Sequence, residues 1–181
     1  IMTQGYAPIS ENGTVDVWVM DPAVTSVEQT TNMSLQALAR VRSVAGVQSA
    51  VPFMFATADV RFPDGRYQPF QVIGVDDATL LGMPTIQNKV MPSLLRVPDA
   101  VVIDAGGTNG KLETTLQISE QLPQGKIDFD APTRELTTGD ELLLNDHSLR
   151  ILGQSQGLPR FPPRPLLYTT FSNATRILPP E

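Results

Sequence analysis

The sequence predicts an α+β chain in which a βαβ-type unit is interrupted by a small β-rich insertion. Three observations carry this expectation. Val15, Val17 and Val19 alternate with Asp16, Trp18 and Met20, the period of a strand with one face on a core. Leu35, Leu38, Val41 and Val44 recur at helical spacing. From Ile86 onward the texture changes, and Pro92, Pro98, Gly106, Gly107, Gly110, Pro123, Gly125, Pro132 and Gly139 cut the chain into short pieces.

Taken in order, residues 1–14 have no period and read as an irregular lead-in. The first strand, Val15–Asp21, stops at Asp21-Pro22. Ser34 is placed to cap a helix over Leu35–Ala45, with Arg40 and Arg42 on its outer face and Gly46 supplying a left-handed stop. Val47–Phe62 is apolar and β-branched or aromatic, and it runs through Pro63-Asp64-Gly65-Arg66 into a second strand-like stretch, Tyr67–Val75. Proline pre-sets such a turn and glycine takes its positive φ, which predicts a β-hairpin. Asp76-Asp77 reads as a cap before a short helix at 78–81. A connection of this length favours parallel neighbours, so Val15–Asp21 and Val47–Phe62 are expected in one sheet with the 35–45 helix packed across it. In the second half, Ala100–Ile103 reads as a strand, and Leu142–Leu144 with Leu149–Leu152 as a hairpin around Asn145-Asp146. Leu166–Thr169 reads as a strand, followed by a short helix over Phe171–Ile177 capped by Thr170 or Ser172.

Composition bounds the function. A chain of 181 residues that is 41% hydrophobic can bury a real core. It has no cysteine, which removes disulfide frameworks, thiolate metal sites and thiol nucleophiles. One histidine, His147, leaves little room for imidazole chemistry. The formal net charge of −6 argues against a nucleic-acid partner, because backbone binders concentrate Lys and Arg to displace counterions. No run approaches the roughly 18–20 apolar residues that cross a bilayer, and no basic-then-apolar leader opens the sequence. Asn12-Gly13-Thr14, Asn32-Met33-Ser34 and Asn173-Ala174-Thr175 match a glycosylation acceptor pattern short enough to recur by chance, and they carry no weight.

Several strings invite a chemical reading. Val101-Val102-Ile103-Asp104-Ala105-Gly106-Gly107-Thr108 looks like the phosphate loop of actin-like sugar kinases, in which backbone N–H groups after a buried strand cradle phosphate. Its overlap with the P-loop pattern fails on mechanism, since Ala105 replaces the first glycine and Leu112 stands where a magnesium-binding hydroxyl is needed. A strand and glycine turn is the preferred reading. The acidic residues Asp59, Asp64, Asp76, Asp77, Asp128, Asp130, Asp140, Glu141 and Asp146 lack EF-hand spacing and read mostly as turn and cap positions. Ser148 follows His147 directly, and strand neighbours point to opposite faces, so the pair is no nucleophile and base. No catalytic residue, metal ligand or cofactor is therefore expected. The segment Gly157-Leu158-Pro159-Arg160-Phe161-Pro162-Pro163-Arg164-Pro165 differs in kind. Its prolines fix φ and leave little entropy to lose on docking, while Arg and aromatic side chains are favoured at interface cores. Arg160, Phe161 and Arg164 are the candidate partner-contact residues, against the plainer reading of a surface connection.

The order Asp16-Val17-Trp18-Val19, Arg40-Val41-Arg42, Gly74-Val75-Asp76-Asp77-Ala78-Thr79-Leu80, Asp99-Ala100-Val101-Val102-Ile103-Asp104, Gly139-Asp140-Glu141-Leu142 and Tyr168-Thr169-Thr170-Phe171-Ser172 resembles the extracytoplasmic domain of MacB-like ABC-transporter permeases, the DevC-type exporters among them. The resemblance covers about Val15 to the C-terminus, and its weight lies in the order, since no piece is a catalytic signature. It implies a Porter-like subdomain, 15–85 and 153–181, interrupted by a Sabre-like insertion, 86–152. It also implies that the domain sits between the first two membrane helices, on the periplasmic side of the inner membrane. A further strand–helix–strand follows in the family, so one βα unit is expected beyond Glu181, and a sheet edge so uncovered would invite a second copy. By the same resemblance the domain is not an enzyme. The permease dimerises, works with a cytoplasmic ABC ATPase, and joins a HlyD/MacA-like adaptor and a TolC-like channel, passing ATP-driven helix motion to adaptor or substrate. The alternative from another class is a ligand-sensing or substrate-capture domain holding a lipid, glycolipid or peptide between its subdomains.

Overall fold

A computed structural model describes residues 15–24, 33–87, 90–106, 110–116, 131–157 and 164–178. Its centre grows from the expected hairpin. Strand β1 (Met54–Arg61) pairs antiparallel with β2 (Tyr67–Val75) from Met54↔Gly74 to Arg61↔Tyr67. Gly65 takes φ 89°, and the Gly65 N–H donates to the Phe62 carbonyl to close the turn. The remaining strands are β3 (Ala100–Asp104), β4 (Glu113–Thr115), β5 (Thr133–Glu135), β6 (Glu141–Leu144), β7 (His147–Ser155) and β8 (Leu166–Thr170). Six of the eight described strands close a barrel in the order β1-β2-β8-β3-β7-β6, while β4 and β5 form a separate two-stranded ribbon. The β2–β8 and β3–β7 pairs are parallel and the others antiparallel. Asn145 and Asp146 both have positive φ, 46° and 65°, which matches a two-residue turn to the twist of β6 and β7.

Side-chain alternation splits the core into two layers. Phe70 and Val72 of β2, Val101 and Ile103 of β3, and Leu167 of β8 pack inside with Val60, Leu142, Leu149 and Ile151. Ile73 and Val75, Ala100 and Val102, and Leu166 and Tyr168, from the opposite faces of the same strands, pack outside around Leu95. Strands β3 and β8 are buried at every position because they carry core on both faces. The outer layer is covered by a 3₁₀ turn (Pro92–Arg96), whereas Ala174 and Ile177 of a helix over Phe171–Ile177, whose first turn is capped by Thr170 Oγ1 accepting from the Asn173 N–H, pack with the inner layer. Gly74 lets that helix approach β2, since a Cβ there would lie 2.8 Å from the Ala174 Cβ.

The mixed α and β character stands, with few helices and many strands, but the expected βαβ layer does not form. Val15–Asp21 makes no strand; Val17 and Met20 are 72% and 53% exposed, and the contact at this segment is Trp18 edge-on to Phe53 at 5.1 Å between ring centroids. Alternation alone does not make a strand without a partner to bond. The helix α1 (Leu35–Arg42) forms where expected, with Ser34 Oγ accepting from the Gln36 N–H, yet it buries no residue. Without a first strand there is no sheet beneath its apolar stripe. Only Met54–Arg61 of the expected Val47–Phe62 strand enters a ladder. The short helix after Asp76-Asp77 is instead a turn. Asp76 Oδ2 accepts from the Thr79 N–H and hydroxyl, and Leu80 leaves the helical path at φ 54°. The barrel also takes strands from every expected part: β1 and β2 from 15–85, β3 and β6 from 86–152, β8 from 153–181, and β7, which runs across the 152/153 boundary. The helix Phe171–Ile177 is called α2 below.

Candidate partner-contact site

Residues Arg160 and Phe161 of the proline-rich loop lie outside the described residues; Arg164 is described and half-buried. The feet of the loop are fixed. At one end the Gly157 N–H donates to Asp104 Oδ2 at 2.9 Å, and at the other the Gln71 N–H donates to the Pro165 carbonyl at 2.9 Å. Asp104 pairs with Ser155 on one side and Leu166 on the other, so the end of β7 and the start of β8 both lie beside the C-terminal end of β3.

That position explains the kinase-like string. Asp104 is 1% exposed, and its carboxylate accepts from the Gly106 N–H at 3.0 Å, the Ser155 hydroxyl at 2.7 Å and the Gly157 N–H. Gly106 is required by close approach, because a Cβ there would lie 2.1 Å from the Gly157 carbonyl oxygen. The carboxylate and glycine hold three chain segments together.

A second cluster joins the elements over the outer core. Buried Asn173 of α2 donates through Nδ2 to the carbonyls of Leu95 and Val97, at 3.2 and 3.0 Å. Arg176 donates to both Asp99 carboxylate oxygens, at 2.8 and 3.3 Å, and to Asn173 Oδ1. Arg96 donates to the carbonyls of Asp77 and Ala78, and Asp77 accepts from the Ser172 N–H. The 3₁₀ turn, α2 and the 76–80 turn are thereby tied into one block. Sequence reading missed it: Asn173 stood out there only as part of an acceptor pattern, whereas its amide points inward. His147, at the start of β7, lies 3.9 Å from Asp99.

Asp64 does more than turn the hairpin. Its carboxylate accepts from the Arg66 N–H and side chain and from the Thr115 N–H, which fastens the β1–β2 turn to β4. Burial alone would raise its pKa, but these hydrogen bonds and the Arg66 charge bring it below the ordinary 3.8. Asp140 is likewise lowered against its burial by Arg134, which donates to both oxygens, and by the Thr137 N–H. A depressed folded pKa gives stability that is complete above the unfolded value and is lost as pH falls through the folded one. The melting temperature is therefore expected to fall below about pH 4, and Asp64→Asn to flatten that acid limb in a thermal scan against pH. An unchanged acid limb in Asp64→Asn would remove Asp64 from this account.

Among the described residues no three His, Asp or Glu side chains converge as metal ligands, and no helix is long and apolar enough to cross a membrane. An open groove of about 440 Å³ lies between the end of α1 and the 76–80 turn, bordered by Arg42, Val47, Ala50, Asp76 and Thr79. It falls wholly within 15–85, not between the two expected subdomains.

No protein-family model and no curated protein matches the chain. Solved structures do. The periplasmic region of MacB from Actinobacillus actinomycetemcomitans aligns with 97% of this chain and 72% of its own length, at a TM-score of 0.51 and 12% identity. The extracellular domain of the noncanonic ABC-type transporter YknZ from Gram-positive bacteria aligns with 80% of this chain at a TM-score of 0.49 and 11% identity, so that the chain spans 65% of that domain. A domain of a permease protein, described as such from Porphyromonas gingivalis, aligns with 74% of this chain and 55% of its own, at 0.46 and 15% identity. At these identities the likeness is one of fold, and with the MacB periplasmic region it reaches a TM-score above 0.5.

Proposed function

We propose that this chain is a non-catalytic extracytoplasmic domain of a MacB-like, DevC-type ABC-transporter permease, and that it passes ATP-driven movement of the membrane helices to a periplasmic adaptor or to substrate. The observation that carries the reading is a MacB-type fold in a chain whose motifs already follow the order of that family. The interior supports a mechanical role. A barrel sealed at its loop feet by Asp104, and braced outside by Asn173, Arg176 and Arg96, moves as a unit, because packed elements shift as bodies and do not deform continuously. Hydrolysis of ATP belongs to a separate cytoplasmic ATPase. The permease works as a dimer at the periplasmic face of the inner membrane, with a HlyD/MacA-like adaptor and a TolC-like channel as the outward partners. The proline-rich loop, held at both feet, is the adaptor contact. A domain that captures a lipid, glycolipid or peptide between its subdomains is the alternative; the open groove beside Arg42 lies instead within 15–85.

The test uses the full-length permease purified from membranes with its ATPase. Arg160→Glu with Arg164→Glu is expected to weaken adaptor binding about tenfold or more through slower, misaligned association, with the circular dichroism of a native fold. Unchanged binding returns the loop to a plain connection. A full-length protein that recruits no ATPase overturns the reading.

A further inference from the structure

The groove between the end of α1 and the 76–80 turn is bordered by a cation and by a carboxylate. Arg42, the last residue of α1, and the chain over 47–51 supply part of its lining, and Asp76, Ala78 and Thr79 supply the rest. Its volume of about 440 Å³ falls in the range of small-molecule sites, about 300–1,000 Å³. Both charged groups are held by their neighbours. Arg42 Nε donates to the Ala50 carbonyl at 2.8 Å, which uses one of the five N–H donors of the guanidinium. Asp76 Oδ2 accepts from the Thr79 N–H at 2.9 Å and from the Thr79 hydroxyl at 2.8 Å, so the carboxylate is fixed through one oxygen. Among the described residues neither Arg42 nor Asp76 forms an ion pair. Two opposite charges thus border one cavity without neutralising each other, and Val47, Val51 and Ala78 add an apolar part to its lining.

We propose that this groove binds a free amino acid with an apolar side chain, its carboxylate on the Arg42 guanidinium, its ammonium on Asp76 and its side chain against Val47 and Val51. Charge selects the class. A simple anion on Arg42 would meet the like charge of Asp76, and a simple cation on Asp76 would meet that of Arg42. A zwitterion satisfies both at once, and with no net charge it approaches a chain of −6 without long-range repulsion. Two parallel N–H donors on one carboxylate give the strong, directional contact, and Asp76 decides which end of the ligand enters. The turn that carries Asp76 is itself fastened, since Arg96 donates to the carbonyls of Asp77 and Ala78 and Asp77 accepts from the Ser172 N–H. A bound amino acid therefore ties α1, which buries no residue of its own, to the block around α2. The site is distinct from one between subdomains, and the inference does not depend on the transporter reading.

Three probes of one shape separate the two contacts: leucine, leucinamide, which has no carboxylate, and N-acetyl-leucine, which has no ammonium. In NMR titrations of the 181-residue chain, leucine is expected to give saturable shifts confined to the amides of 42–51 and 76–79, with slower amide exchange in α1. Leucinamide and N-acetyl-leucine are each expected to bind at least about tenfold more weakly, the loss of one charge-assisted contact. Arg42→Gln is expected to bind leucine and leucinamide alike. Asp76→Asn, whose amide oxygen still accepts from Thr79, is expected to bind leucine and N-acetyl-leucine alike. Both variants should keep the circular dichroism of the parent. The absence of saturable shifts with leucine, shifts centred away from the groove, or equal binding of the three probes overturns the proposal. So does discrimination among them that survives in both variants.

Discussion

Replacing Asp104 by alanine is expected to cost the domain about 2–4 kcal/mol, read as a lower denaturant midpoint at an unchanged slope. The carboxylate is buried and accepts from the Gly106 N–H, the Ser155 hydroxyl and the Gly157 N–H. Removing it strands three donors where water does not easily replace it, and an unsatisfied buried donor costs more than a satisfied one gains. Asp104→Asn keeps the shape but turns an NH₂ group toward some of those donors, so it is expected to recover part of the loss. Gly106→Ala should be as damaging, since its Cβ would strike the Gly157 carbonyl at 2.1 Å, and backbone cannot swing aside. None of the three variants is expected to change calorimetry with Mg-ATP, which should show no binding in the parent chain. A stable Asp104→Ala that loses a micromolar ATP affinity present in the parent would restore the phosphate-loop reading.

The second large effect is expected at Asn173. Its side chain satisfies the Leu95 carbonyl, shares the Val97 carbonyl with the Ala100 N–H and accepts from Arg176, which also holds Asp99, so Asn173→Leu takes the side-chain donor from both carbonyls and an acceptor from Arg176. A loss of about 1–3 kcal/mol follows from the desolvation of unpaired groups. On the proposed reading, the 3₁₀ turn and α2 would then no longer move as one block with the barrel in a full-length permease. Transport is expected to fall to a small fraction while ATP hydrolysis persists, because the lesion lies between motor and load. Loss of both activities in a protein that still folds and reaches the membrane would place Asn173 outside the transmission path.

What could be read from the sequence was chemistry that acts over a few residues. Pro63-Asp64-Gly65, Asn145-Asp146 and Thr170 each dictate a turn or a cap through their own backbone preferences, and each lies where expected. The reading failed where the outcome rests on distant partners. Val15–Met20 has a strand's alternation but gains no ladder, and α1 has a helix's stripe but no sheet to cover. The parallel β2–β8 and β3–β7 pairs join segments far apart in sequence, and no local signal selects them. Asp64 was legible as a turn residue, whereas its bond to Thr115 was not, because nothing near either residue announces the other. The same holds for Asn173. Of the candidate contact residues, Arg160 and Phe161 lie outside the described residues, and Arg164 sits beside the anchored foot of the loop.

The central claim is that the barrel moves as a rigid body when the motor binds ATP. Distance measurements between spin labels in the full-length permease with its ATPase test this directly. One pair, at the exposed positions Tyr67 and Ser148, lies within the domain, and a second pair runs from Ser148 to a membrane helix. The account predicts that ATP shifts the second distance and leaves the first unchanged. A second distance indifferent to ATP, or a first distance that changes when a small-molecule ligand is added without ATP, would contradict it.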